Sequence, residues 1–424
     1  MKRTLLLLSL AMLFFAASAQ DTLRMMQYNL MYYTENSGVS DCNAVTNNLD
    51  QKDANLRTIF HYVTPDVFCV NEIGSAAAYA DRILNNVINV DGIDYYRHGP
   101  LTNYSGGYIA NMIFYDSRKL TLHSHTYVTT SYRDISGYKM YYNSPDLASG
   151  DTVFMTFWIA HLKAGSSADN ANARLVQTQR LMNRISASGN PGNYVLSGDF
   201  NVYGSEESCY QELVNYSNSL YRFYDPIDRS GHWNNNWEFS DIHTQSTHTQ
   251  SDGCFSTGGL DDRFDIILVS PYVYYGSAGV RVLPETYHAL GQDGERFNGT
   301  ILSPANELIP SNVAQALYNQ SDHLPVITDF VIDATVGVAD RATDFQFRVV
   351  NPIRERLDIY FHGAQSDLYT FEIFSVDGKS LARFQERLAD GGQRLSWPFP
   401  YKQGVYLLQI SDSKQQHQIY KLVK

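Results

Sequence analysis

Six short apolar runs in this chain stop at, or lead out of, a polar residue that can bind a metal or carry a proton. Residues 23–28 stop at Asn29, residues 67–70 run into Asn71 and Glu72, and residues 153–159 come just before His161. Residues 194–196 deliver Ser197-Gly198-Asp199-Phe200-Asn201. Residues 264–269 carry Asp265, and Asp322-His323 stands ahead of residues 325–330. Short β-branched and aromatic runs bounded by turn residues read as strands. If the last strand runs opposite to the others, their polar ends meet on one rim of a sheet. One such residue is an ordinary loop cap. A set with this chemistry points to a site.

The segments between these runs complete a mixed α/β pattern. Leu49, Leu56, Ile59, Phe60 and Val63 recur at helical spacing and stop at Pro65. Residues 169–185 predict a second helix, with Leu175, Met182 and Ile185 on one face, ended by Gly189 and Pro191. Residues 109–114 predict another strand. From Phe345 onward the pattern changes to short alternating segments at 357–361, 369–374, 405–410 and 418–423, with Asp377-Gly378 and Gly391-Gly392 as turns. That is the pattern of a small β-sandwich. A chain of 424 residues has room for both units.

The N-terminus sets the expected compartment. Lys2 and Arg3 precede an apolar run, residues 5–17, broken only by Ser9, and Ala17-Ser18-Ala19 fits a small-residue cleavage site. The run is short for a bilayer span and reads as a signal peptide, with Gln20 as the new N-terminus. The expected organisation is a signal peptide at 1–19, a catalytic region at 20–333, a linker at 334–344 and a β-domain at 345–424. No later segment is apolar enough to span a membrane. Four cysteines in an exported chain allow three pairings. Cys69, inside a buried strand, reads as an inert thiol. Cys209 and Cys254 read as loop residues and are the favoured bridge.

Charge narrows the partners. The chain carries −12 at pH 7, and the positive contributions of Lys2, Arg3 and the tail leave −16 on residues 20–343. Such a surface attracts metal cations and repels polyanions at long range, which argues against a broad basic nucleic-acid groove. A local phosphate site built around a metal remains compatible with it. Hydrolysing a phosphate ester requires three things: charge on the phosphorus oxygens offset, a water activated, and the leaving oxygen stabilised. Glu72 and Asp322 suit a hard cation such as Mg²⁺. Asp199 with Asn201 can hold and deprotonate a water. His161 and His323 are suited to phosphate oxygens or proton transfer, and Asp265 can fix the His323 tautomer.

These runs also resemble a known family. Gln27-Tyr28-Asn29, Val70-Asn71-Glu72-Ile73, Ala160-His161-Leu162-Lys163, Ser197-Gly198-Asp199-Phe200-Asn201, Arg263-Phe264-Asp265-Ile266-Ile267-Leu268 and Ser321-Asp322-His323-Leu324-Pro325-Val326 occur in that order. Together they resemble the endonuclease/exonuclease/phosphatase superfamily across residues 22–331. The resemblance implies a deoxyribonuclease I-like four-layer sandwich, two mainly antiparallel sheets with helices outside. It implies Mg²⁺ as cofactor, with Mn²⁺ as a substitute and Ca²⁺ able to serve structurally. It makes Glu72 the main metal ligand, with Asn29 beside it and Asp322 at the metal or next to His323. Asp199 and Asn201 would position the nucleophilic water and the phosphate. His161 would contact the phosphate, and His323, oriented by Asp265, would stabilise the transition state or act as base. The substrate it implies is a phosphodiester, nucleic acid ahead of phospholipid or a small phosphate ester. An adhesin reusing the fold would have no need of the intact set.

The tail has its own resemblance. Asn351-Pro352, Val376-Asp377-Gly378-Lys379, Gln403-Gly404-Val405-Tyr406-Leu407-Leu408 and the final Lys421-Leu422-Val423-Lys424 are similar to the C-terminal sorting domain of the type IX secretion system. That implies an outer-membrane secretion machinery as partner and a secreted or cell-surface product. Outside these motifs, the loop with Trp233, Trp237 and the near repeat His243-Thr244-Gln245-Ser246 and His248-Thr249-Gln250-Ser251 reads as packed by its own aromatics. Arg174 reads as a helix-surface residue, and the loop with His288, Asp293 and Arg296 as solvated.

Overall fold

The computed structural model describes residues 21–332 and 345–424, apart from residues 36–37, 40–41, 145–146, 148–151, 252, 350–352, 354, 364–365, 376–377, 390 and 415–416. The expected signal peptide at 1–19 and linker at 334–344 lie outside the described residues.

In chain order the elements are β1 (Asp21–Tyr33), α1 (Leu49–Val63), β2 (Val67–Gly74), α2 (Ala77–Ile83), β3 (Tyr96–His98) and β4 (Ile109–Asp116). Then come β5 (Leu120–Val128), β6 (Ile135–Tyr142), β7 (Phe154–His161), α3 (Ala168–Ser186), β8 (Tyr194–Asp199) and α4 (Ser208–Val214). After these follow β9 (Asp265–Val269), α5 (Pro271–Tyr275), β10 (Val280–Ala289), α6 (Ser311–Gln320) and β11 (Val326–Ile332). Local chemistry sets several ends. The Asn48 side chain accepts from the Gln51 N–H to start α1, and Thr64 in the left-handed region, ahead of Pro65, stops it. Ser167 caps α3 through the Asn170 N–H.

The strands form a six-stranded sheet, β10-β11-β1-β2-β4-β3, and a five-stranded sheet, β5-β6-β7-β8-β9. Within them only β1–β2 and β7–β8 pair in parallel. Strand alternation makes four layers. Leu23 and Met25 of β1 and Val67 and Cys69 of β2 pack inward against Met155, Phe157 and Ile159 of β7. Met26, Tyr28, Phe68 and Val70 point outward, under α1 and α6. On the other side Trp158, Ala160, Leu196 and Ile266 lie under α3 and α4. This is the α/β sandwich that the deoxyribonuclease I-like resemblance implies.

In the tail, β12 (Phe345–Val349), β13 (Arg356–Gly363), β14 (Asp367–Ser375), β15 (Ser380–Leu388), β16 (Gly391–Pro398), β17 (Val405–Ser411) and β18 (His417–Val423) form a three- and a four-stranded sheet. Phe347, Ile359, Phe361, Phe371, Leu408 and Ile410 share a core of their own. Seven strands stand where four were expected, and Gly391-Gly392, read as a turn, begins β16.

The expected cysteine bridge is corrected. Cys42 pairs with Cys254, while Cys69 and Cys209 are free and buried. Cys209 is not in a loop: it faces inward from α4, packed in the core beside Tyr210 and Leu213. Burial raises both thiols well above the ordinary cysteine value, so neither forms a reactive thiolate at neutral pH. A thiol reagent should therefore find essentially no reactive cysteine in the native chain and two in denaturant without reductant; four would mean that no bridge forms.

Candidate active site

The two parallel strand pairs bring the motif residues together. On the five-stranded sheet His161 pairs with Asp199 and Asp199 with Asp265, so three adjacent strands end in three neighbouring polar side chains. On the six-stranded sheet Asn29 pairs with Asn71. There the register of both partners breaks, between Asn29 and Tyr33 on β1 and between Val70 and Ile73 on β2. Glu72 takes a left-handed φ of 61°, and Asn201 one of 51°. Such breaks re-aim side chains next to functional sites. The expectation of one sheet rim is corrected: the residues come from two sheets that face each other.

A buried amide ladder joins the sheets beneath them. Gln27 Nε2 donates to Asn71 Oδ1 (2.7 Å), and Ser197 Oγ donates to Gln27 Oε1 (2.9 Å). Asn71 Nδ2 donates to Asn111 Oδ1 (2.7 Å) and to the Ala160 carbonyl (3.1 Å). The Asp199 N–H closes the set on Asn71 Oδ1 (3.0 Å). Buried polar groups satisfied this fully fix one arrangement of the two sheets. Gln27 and Asn71 lie inside the motifs, yet their pattern alone says only "strand".

Above the ladder, Asn29 Nδ2 lies 3.2 Å from Glu72 Oε1 and 3.0 Å from Asp199 Oδ2. The Tyr32 N–H holds Glu72 Oε2 at 2.9 Å. His161 Nε2 is 3.8 Å from Glu72 and 3.4 Å from Asp199. His323 Nδ1 meets Asp265 Oδ2 at 2.6 Å, and its Nε2 is 3.8 Å from Asp199 Oδ2. Asp322 Oδ2 accepts from the Ser256 N–H (2.9 Å) and the Gln245 amide (3.2 Å). Asn201 is buried beside Asp199, whose Oδ1 takes the Asn201 N–H at 3.0 Å. All eight motif residues therefore converge.

Two further residues belong to the site: Arg133 lies outside every motif, and Gln245 lies in the near repeat read above as a self-packed loop. Arg133 donates to the carbonyls of His161 (3.3 Å) and Leu162 (3.0 Å) and lies within electrostatic reach of Glu72 and Asp199. Gln245 Nε2 sits 2.7 Å from His323 Nε2. No sequence signal separates either from an ordinary loop residue. Two arginines are corrected. Arg174 is buried, paired with Glu207 (2.7 Å) and bonded to the Lys163 and Gly165 carbonyls, so it braces the turn after His161. Arg296 is fully buried on the Ile301 and Ala305 carbonyls, so its side chain is not solvated. Trp233 is buried as expected of a self-packed loop, whereas Trp237 is exposed.

The charges fit a cation. Burial, helped by Asp322, raises the Glu72 carboxyl, and burial lifts Asp199 to about 7 against the pull of His323. Burial opposes charge on His323, but Asp265, Asp322 and Asp199 together raise it well above the ordinary histidine value. Burial and the nearby Arg133 and His323 lower His161. Glu72, His161 and Asp199 each offer one ligand atom within 4.8 Å of the others. Asp322 stands outside that group, with a buried Oδ1 that has no hydrogen-bond partner among the described residues. Buried carboxylates with raised pKa values and an unpartnered oxygen suit a hard divalent ion.

The sign of this linkage is testable. Asp199 binds its proton more tightly folded than unfolded, so the metal-free chain loses stability as pH rises from about 4 towards 7. A cation must displace that proton. Saturating Mg²⁺ is expected to raise Tm by about 3 °C or more at pH 8 and by clearly less at pH 5. Scanning calorimetry with and without chelator checks this; equal shifts at both values would remove the carboxylates from metal binding.

No protein-family model matches the chain, and no curated protein matches it. Solved structures are similar in overall shape. An endonuclease/exonuclease/phosphatase from Beutenbergia cavernae is 15% identical, with 95% of this chain and 100% of that one covered and a TM-score of 0.43. TDP2 from D. rerio, solved with a single-strand DNA product, is 14% identical over 73% of this chain and 98% of its own, with a TM-score of 0.45. The human Nocturnin catalytic domain, solved with a sulfate anion, is 14% identical over 74% and 97%, with a TM-score of 0.44.

Proposed function

We propose that the chain is an exported, divalent-metal-dependent phosphodiesterase, acting on nucleic acid. The observation that carries the reading is the convergence of Glu72, His161, Asp199 and the Asp265–His323 pair on one point between two sheets. Mg²⁺, or Mn²⁺ in its place, would be held by Glu72 with Asn29 and Asp322 and would supply positive charge to offset the phosphate oxygens. Asp199 accepts the proton of the attacking water, with Asn29 and Asn201 fixing its carboxylate. His323, kept cationic by Asp265, presents its Nε2–H to a phosphate oxygen. His161, held neutral, donates its ring N–H to an oxygen of the same phosphate. Arg133 adds a second cationic face.

Export rests on the first nineteen residues, and release through an outer-membrane secretion machinery rests on the tail motifs. One observation favours a second reading. The −16 carried by residues 20–343 suits a small-substrate or phospholipase C-like phosphoesterase better than a duplex-binding enzyme. Supercoiled plasmid, incubated with the chain lacking residues 1–19 in Mg²⁺ and in chelator, separates the two. Nicking that chelator abolishes is expected. A folded, metal-loaded chain that leaves plasmid intact and cleaves sphingomyelin or small phosphodiesters would overturn the nuclease reading.

A further inference from the structure

A cavity lies among segments that adjoin the site residues in the chain. It has a volume of about 430 Å³ and lies between the start of α1, the end of α6 and the loop through His248 and Phe255. That is within the usual range for small-molecule sites. Carboxamides are the commonest polar groups of its lining, Asn47, Asn48, Gln51, Asn55 and Asn319, beside Thr46, Lys52, His248 and Tyr318. Lys52 is the one lysine or arginine in the wall. Its ammonium spends three donors on the carbonyls of Leu30 (2.8 Å), Met31 (2.7 Å) and Gln320 (2.8 Å). The cavity therefore offers neutral hydrogen bonds and no available ammonium for an anion.

Two features narrow the occupant. Phe255, His248 and Tyr318 form a column, with centroids 4.0 and 3.9 Å apart and planes within 28° of parallel. The other is Asn47, only 3% exposed, whose Nδ2 is committed to the Tyr32 and Thr34 carbonyls. That commitment fixes its amide orientation and leaves Oδ1 buried with no hydrogen-bond partner among the described residues. An acceptor so placed calls for an N–H or O–H donor. A flat ring with donors and acceptors at its edge extends such a column, and stacking of this kind tolerates any base.

The cavity is wired to the site on three sides. Lys52 binds the backbone just after Asn29, and the Gln320 carbonyl just before Ser321-Asp322-His323. Phe255 lies between Cys254, tied to Cys42, and Ser256, whose N–H holds Asp322. We infer that this cavity is a base subsite: it takes the base of a nucleotide in the strand whose phosphate lies at Glu72 and His323. The inference deepens the nuclease reading and rests on it for the identity of that strand.

The full chain, with the neutral nucleosides adenosine and cytidine at millimolar concentration and glucose as comparison, tests it by ligand-observed NMR. Saturation transfer to both nucleosides and not to glucose is expected. Phe255→Ala should weaken it about fivefold or more, and Asn319→Ala, at an exposed helix end, should weaken it without threatening the fold. Nucleosides that do not bind, binding that neither substitution alters, or glucose binding in their place would each overturn the subsite. Plasmid nicking by the same preparation reports separately. Nicking without nucleoside binding sinks the subsite alone; nucleoside binding without nicking sinks the nuclease reading and leaves a base-binding pocket.

Discussion

His323→Ala is expected to lower phosphodiester turnover by about a thousandfold while leaving the fold intact, and Asp265→Asn by about a hundredfold or more. Both side chains are buried, yet neither belongs to an apolar cluster, so truncation removes chemistry more than packing. His323 is the group best placed to stay cationic, and Asp265 at 2.6 Å from Nδ1 is the main reason. An asparagine there removes the charge that raises the imidazole. The alkaline limb of the pH–rate profile should then move to lower pH, which a merely structural loss would not do. Initial nicking rates from pH 5 to 10 measure both effects, with near-UV circular dichroism reporting the fold. A His323→Ala rate within tenfold of the parent would remove this residue from the chemistry.

Gly198→Ala is expected to cost more than about 4 kcal/mol, the range reserved for severe steric or backbone conflict. A Cβ at this position would lie 1.7 Å from the Ala160 carbonyl oxygen, and the backbone there has a φ of 146°. No side chain can yield, because the obstacle is the backbone of β7. The strands would have to part where they pair Ala160 with Gly198 and His161 with Asp199, so activity and stability should fall together. Gly192→Ala is the comparison: nothing lies within 4 Å of its would-be Cβ, and its effect should stay within about 0.5 kcal/mol. Urea midpoints of the two variants decide it. A Gly198→Ala midpoint close to the parent would mean that β7 and β8 are not held as described.

Much of the site is legible in the sequence because His161 and Asp199 end their strands, His323 stands just ahead of one, and Asn29 and Glu72 stand where the apolar runs stop, at breaks in the ladder inside β1 and β2. The helix ends were also legible: α3 runs from Ala168 to Ser186 against an expected 169–185. Periodicity, however, says which residues share a face and not which sheet a strand joins, so one rim was expected where two sheets supply the residues. β5, with Thr121, His123, Ser124 and Thr126 along it, carries little apolar signal, and its half-exposed face explains why. Cys254 was paired with Cys209 for want of a signal that α4 turns Cys209 into the core. Arg133 lies outside every motif, and Gln245 lies in a repeat that reads as self-packed, because only tertiary proximity ties either to the site. Arg174 and Arg296 misled for the opposite reason: a buried arginine satisfied by carbonyls looks, in sequence, like a surface one.

β1 lies between β2 and β11, so the first and last strands of residues 21–332 are hydrogen-bonded neighbours, with Asp21 opposite Ile332 and Gln27 opposite Val326. Asn29 and Glu72 arrive early in residues 21–332, and Asp322 and His323 arrive almost at their close. A ribosome or translocon releasing this chain from its N-terminus thus exposes an acidic half-site long before the histidine that completes it. The assembled constellation cannot exist until residue 332 has emerged and closed the sheet. Emergence of β11 is in that sense the assembling step: a chain ending before it cannot bring the constellation together, whereas the tail from residue 345 onward supplies none of its residues.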